Sequence, residues 1–126
     1  MSVKRILCVE DHEDICNLIS VIFKNIEVLS VSNVADALKI ASPQNFDLYL
    51  LDYALPDKTG MELASLIRES DAKTPILFVT GSNLITEEKA IENGAQGLIR
   101  KGTKSFIEDL ENKVQQALSG IINSDV

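Results

Sequence analysis

The chain has 126 residues, 45% apolar and 25% charged, a balance that suits one globular domain and excludes disordered, collagen-like and coiled-coil chains. Nineteen acidic against twelve basic residues leave a net charge of −7, the wrong sign for the basic footprint that phosphate backbones select, so direct nucleic-acid binding is not expected. No apolar run approaches the ~18 residues of a spanning helix, and Met1-Ser2-Val3-Lys4-Arg5 leads into too short an apolar stretch for a signal peptide. No membrane insertion and a cytoplasmic location are therefore expected.

In chain order, residues 6–9 form the first strand-length apolar run, closed by Glu10-Asp11. Ile15, Leu18, Ile19, Ile22 and Phe23 follow at offsets of 0, 3, 4, 7 and 8, one apolar face of a helix. A second run at 28–31 precedes a helix with Val34, Ala37, Leu38 and Ala41 on one side. The third run, 46–51, is apolar apart from Asp47 and stops at Asp52, and a short helical pattern of Leu63, Leu66 and Ile67 comes after it. Residues 76–79 make a fourth strand ending at Thr80; residues 86–93 are polar enough for a half-exposed helix stopped by Asn93-Gly94. The fifth strand, 97–99, leads to Lys101, and the last helix carries Ile107, Leu110, Val114, Ala117, Leu118 and Ile121. Cys8 lies in an apolar run and Cys16 in a helical pattern; without C-x-x-C spacing both read as reduced residues in or near the core.

Five strands alternating with five helices call for a parallel sheet covered on both faces, because each crossover must bury its apolar stripe. The expected class is α/β, a flavodoxin-like doubly wound (βα)5 sandwich with strand order 2-1-3-4-5, spanning residues 1–126 as a single domain. No internal repeat or linker suggests a second one. In that order the ligand crevice opens beyond the carboxyl ends of strands one and three. Glu10, Asp11 and Asp52 would converge there, with Thr80 and Lys101 on the far side. Two unit charges about 4 Å apart repel by roughly 4 kcal/mol near a protein surface, so three carboxylates need positive company. Lys101 supplies one charge, and hard oxygen ligands with room for water suit Mg²⁺, which usually also takes phosphate oxygens. Asp52 is then placed to be the nucleophile of an acyl phosphate, with Thr80 as a hydroxyl donor and Lys101 as a point charge.

These residues carry a resemblance. Ile6-Leu7-Cys8-Val9-Glu10-Asp11, Asp52-Tyr53-Ala54-Leu55-Pro56 with Gly60 closing the loop, Val79-Thr80-Gly81, and Gly94-Ala95 through Lys101 together resemble the receiver domain of two-component response regulators, in the single-domain, chemotaxis-regulator-like form. The resemblance implies that Asp52 takes a phosphoryl group from the phosphohistidine of a sensor histidine kinase or histidine phosphotransfer protein. It implies that Asp11 and Asp52 bind Mg²⁺ with the main-chain carbonyl of Ala54, with Glu10 beside them, often through water. Thr80 and Lys101 would contact the phosphoryl group, and the surface of the fourth helix, fifth strand and fifth helix would change for a downstream effector protein. Such a chain is a phosphoacceptor rather than an enzyme, at most phosphorylating itself from small donors and slowly losing the phosphate. A phosphorylation-dependent homodimer is compatible with it.

Each residue also has a plainer reading. Glu10-Asp11 can cap the following helix, Asp52 can be a loop carboxylate before the turn at Pro56, Thr80-Gly81 can be turn chemistry, and Lys101 can belong to a solvated basic strand edge. Agreement of four sites at strand ends outweighs these. His12, the lone histidine, reads as a surface residue, and Tyr53 and Phe78 as packing residues. Two departures stand out. Gly102 follows Lys101 where the family has proline, and a cis bond there would cost ~3 kcal/mol or more. Leu98 stands where many receivers carry an aromatic switch, which leaves the Thr80 half. Ala54 and Ser82, two residues beyond Asp52 and Thr80, are both small. The departures motivate an alternative, a pseudo-receiver that binds a partner constitutively. A flavin carrier is disfavoured because Glu10, Asp11 and Glu13 would repel its phosphate, and a D-x-D phosphatase because Ala54 replaces the second acid.

Overall fold

A computed structural model describes residues 3–120. The chain alternates β1 (Arg5–Val9), α1 (Glu13–Ile22), β2 (Glu27–Val31), α2 (Val34–Ile40), β3 (Leu48–Leu51), α3 (Gly60–Arg68), β4 (Ile76–Thr80), α4 (Glu87–Glu92), β5 (Gly97–Arg100) and α5 (Phe106–Ser119). The strands form one parallel sheet in the order β2-β1-β3-β4-β5, as the alternation of apolar runs requires.

Period-two side-chain alternation sorts the sheet into two faces. Leu7, Val9, Tyr49, Leu51, Ile76, Phe78 and Leu98 pack under α2, α3 and α4, meeting Val34, Ala37, Leu63, Ala64, Ile67 and Ala90. Ile6, Cys8, Leu48, Leu50, Leu77, Val79 and Ile99 pack under α1 and α5, meeting Cys16, Ile19, Phe106, Leu110, Val114 and Ala117. Every residue of β3 and β4 is buried, which is why those runs lack alternation. β2, at the sheet edge, stays largely exposed.

Several boundaries differ from the sequence expectation. Phe46 is buried but lies before β3, because the Asp47 carboxylate takes the Arg5 N–H at 2.8 Å just ahead of the ladder. β5 runs one residue further, to Arg100. The α5 stripe begins at Phe106 and leaves Ile107 exposed, and Leu38 of α2 likewise faces out; each lies one position off the face its helix turns to the sheet. Ile121, expected on the α5 stripe, lies outside the described residues, as do Met1 and Ser2. α4 keeps only Ala90 buried, is capped by Thr86, whose hydroxyl accepts from Lys89 N, and stops ahead of Gly94 at φ 97°. No helix among the described residues is long and apolar enough to cross a membrane.

Candidate functional site

Strand register brings the polar residues together. Val9 pairs with Leu51 across β1 and β3, and the ladder runs one residue on: Glu10 N donates to Val31 O and Asp52 N to Val9 O, both at 3.0 Å. Glu10 and Asp52 thus leave neighbouring strands side by side, where the strand order reverses. On the other flank Thr80 pairs with Arg100, and Lys101 N donates to Thr80 O at 3.1 Å. From there the Lys101 ammonium donates to Glu10 Oε1 at 2.7 Å and Asp52 Oδ2 at 3.3 Å. Lys101 is therefore not a solvated edge lysine. Nor does Glu10-Asp11 cap α1, whose N-cap is His12, without a side-chain cap bond.

Glu10, Asp52 and Thr80 are buried, and Asp11 and Ala54 are exposed at the rim. A cavity of about 550 Å³ is lined among others by His12, Asp52, Ala54, Thr80, Ser82 and Lys101, while Glu10 and Asp11 line a second cavity of about 700 Å³. Thr80 Oγ1 accepts from Ser82 N at 3.1 Å, so the Thr80-Gly81 turn chemistry is present along with the position at the cavity. Glu10, Asp11, His12 and Asp52 each present one ligand atom within 4.8 Å of the others. His12 is the addition. Its side chain is exposed, as expected of a surface residue, yet Nδ1 shares a hydrogen bond with Glu10 Oε2 at 2.9 Å and lies 3.3 Å from Asp11 Oδ1.

Burial pushes the Glu10 carboxyl above its ordinary value; the Lys101 hydrogen bond pulls it back and the Asp52 charge adds to the rise. Burial works against the Lys101 ammonium too, but the Glu10 bond and the charges of Glu10 and Asp52 outweigh it and hold Lys101 above the usual lysine value. The His12 imidazole is raised by its bond to Glu10 and by Asp11. One ammonium faces three carboxylates, so the pocket keeps a negative surplus at neutral pH. Its donors are carboxylate oxygens plus one exposed imidazole, a set that suits a hard divalent cation.

The loop after Asp52 is held by contacts that sequence pattern does not reveal. Gly60 N donates to Tyr53 O at 2.7 Å, and a Cβ at Gly60 would fall 2.0 Å from the Asp52 carbonyl oxygen. Only glycine fits there. Asp57 accepts from Val34 N at 2.9 Å and Ala35 N at 3.0 Å, fastening the β3–α3 loop to the start of α2; these N–H groups, Val34's foremost, hold its carboxyl below the usual range. The Arg100 guanidinium donates to the carbonyls of Ser82 and Ile85 and so grips the loop after Thr80. An Asp in a turn and an Arg near a strand end carry no signal of such partners. Leu98, at the place where many receivers carry an aromatic residue, is buried in the core under α4. The described residues contain no cis peptide: Lys101–Gly102 is trans, and Gly102 turns the chain at φ 80° instead.

A doubly wound α/β domain with an acidic pocket and a half-buried lysine at its switch point defines the class. The sequence matches the response regulator receiver domain family over residues 6–115, and the chain belongs to that family. It is similar to the response regulator protein PilR of Pseudomonas aeruginosa, 31% identical over 80% of this chain and 23% of that protein. Another relative is the transcriptional regulatory protein CiaR of Streptococcus pneumoniae, 29% identical over 96% of this chain and 55% of that one. The chain thus spans from about a quarter to about half of these relatives' length. Among solved structures it resembles a CheY-like receiver domain protein from Methanospirillum hungatei (TM-score 0.82, 28% identity, covering 94% of this chain and 96% of that one). The HemR receiver domain from Leptospira biflexa is similar too (TM-score 0.81, 28% identity, 92% and 94%). A receiver domain is a signalling domain rather than a conventional enzyme.

Proposed function

We propose that this chain, as a single receiver domain over residues 1–126, accepts a phosphoryl group on Asp52 from the phosphohistidine of a sensor histidine kinase or a histidine phosphotransfer protein. The observation that carries the reading is the Lys101 ammonium bonded to both Glu10 and Asp52, with Asp52, Thr80 and Lys101 together lining an open cavity. A carboxylate oxygen of Asp52 attacks phosphorus, the P–N bond breaks, and the imidazole leaves with the electron pair and takes up a proton. Lys101 neutralises charge on the transferred group, and Thr80, on the same wall, donates its hydroxyl to a phosphoryl oxygen. Asp11 and Asp52 with the main-chain carbonyl of Ala54 would hold Mg²⁺, Glu10 assisting through water, and the ion would supply positive charge against the carboxylates and the transferred group.

The same contacts suggest how the state would be passed on. Thr80 Oγ1 accepts from Ser82 N; turning toward a phosphoryl group would release that N–H and loosen the loop that Arg100 grips. The surface of α4, β5 and α5 would then present a different shape to an effector protein or to a second copy. Intact mass after incubation with acetyl phosphate tests the reading. One phosphoryl adduct, formed only with Mg²⁺ and absent from Asp52→Asn, is expected. A folded protein that takes no adduct overturns it in favour of a constitutive binding module.

A further inference from the structure

We propose that Cys8 and Cys16 are a dithiol that a hydroperoxide closes into an intramolecular disulfide directly behind the acidic pocket, and that this bond weakens divalent-cation binding there. Cys8 lies on β1 and Cys16 on α1, and their sulfurs sit 4.0 Å apart in the core. Joining them at ~2.05 Å asks each sulfur to move about 1 Å. They are the chain's only two cysteines, so no other thiol competes.

Access separates their parts. Cys16 lines a polar cavity of about 700 Å³ shared with Glu10, Asp11 and Ser30, whereas Cys8 lies deeper, 2% exposed against 8% for Cys16. Cys16 Sγ attacks one peroxide oxygen; the O–O bond breaks, the S–O bond forms, and the thiol proton leaves with water or an alcohol. Cys8 Sγ then attacks the sulfenic sulfur; the S–S bond forms, the S–O bond breaks, and the Cys8 proton departs with hydroxide as water. The dithiol loses two electrons and the peroxide gains them. A thiol reductant reverses the bond by exchange.

The coupling is local. The segment between the two cysteines, eight residues apart, contains Glu10, Asp11 and His12. Cys16 Sγ also donates to the Glu10 carbonyl oxygen at 3.7 Å, a bond that a disulfide sulfur cannot make. That bond anchors the backbone from which the Glu10 carboxylate projects, and disturbing the outer support of a metal site typically lowers metal affinity about 10-fold or more. This second half rests on the phosphoacceptor reading; the thiol chemistry does not.

The test treats the full chain with stoichiometric hydrogen peroxide, then counts thiols after denaturation, measures intact mass and titrates Mg²⁺ by calorimetry before and after. Expected are loss of both thiols and of two hydrogen masses in a monomer, reversal by dithiothreitol, and Mg²⁺ affinity lower by about 10-fold. In Cys8→Ser the remaining Cys16 is trapped as a sulfenic acid by dimedone; in Cys16→Ser the buried Cys8 stays a thiol. Two surviving thiols, an oxygen adduct on Cys16 beside a free Cys8, or a covalent dimer each overturns the disulfide. Equal Mg²⁺ affinity in both forms overturns the coupling. No Mg²⁺ binding even in the reduced protein overturns the coupling together with the metal-dependent reading, and the thiol count then judges the disulfide alone.

Discussion

Asp71, in the α3–β4 connection, shows how a buried carboxylate is kept charged outside the pocket. It accepts from Thr74 N at 3.0 Å, Lys73 N at 3.1 Å and the Tyr49 hydroxyl at 3.3 Å. Burial alone would raise its carboxyl, but these donors outweigh burial and hold it below the ordinary value; the Tyr49 phenol, desolvated and beside that charge, is pushed up to about 12. Because the folded carboxyl is more acidic than the unfolded one, its contribution is complete above the usual carboxylate range. It is lost as pH falls below about 4, through the folded value. Asp71→Asn should cost roughly 1.5 kcal/mol at pH 7 and flatten the acid side of the stability profile, read by urea unfolding across pH. Gly60 is the stricter position. Gly60→Ala forces a methyl into the Asp52 carbonyl, and a loss of at least about 3 kcal/mol is expected by the same measurement.

At the scale of elements, α3 is the helix whose start sits against Asp52, and its N-terminus is closed by a capping box. Thr59 Oγ1 accepts from Glu62 N at 3.1 Å while Glu62 Oε1 accepts from Thr59 N at 2.9 Å. Thr59→Ala should cost about 1 kcal/mol in denaturant unfolding and raise amide exchange in the first turn of α3 without touching the pocket's side chains. The other site-bearing loops are tied differently, to neighbouring elements rather than to their own helix: Asp57 to α2 and Arg100 to the β4–α4 loop; at the opposite end of the sheet Arg68 holds the Gly94 carbonyl at 2.8 Å. Long-range side-chain bonds of this kind leave no periodic trace. By contrast, the strand runs, the polar α4 and its Gly94 stop follow from hydrophobic period and turn chemistry, which act over a few residues.

Across the whole molecule, the net charge of −7 and the buried acidic pocket act in the same direction. Mg²⁺ should stabilise the folded chain by about 2.7 kcal/mol at a concentration of about 100 Kd, measured as a rise in the thermal midpoint. Asp11→Asn should abolish that rise while leaving the metal-free protein as stable or more so, because one repulsive charge is gone. A midpoint that climbs equally in Asp11→Asn would place the ion elsewhere.

The order of strands and helices, the two covered sheet faces and the carboxylates at the ends of β1 and β3 can be read from the chain alone. Each depends on a short-range regularity: period two, period 3.6, or a polar residue where an apolar run stops. Which partners those residues meet depends on contacts between segments far apart in sequence. Lys101 bonds to Glu10, 91 residues away, and Arg100 reaches the loop after Thr80. Cys8 and Cys16 touch through a strand–helix packing that their spacing does not announce, and Ile107 turns outward because α5 seats Phe106 against the sheet. Those choices are made by strand register and helix rotation, which come into being only when the whole sheet is assembled.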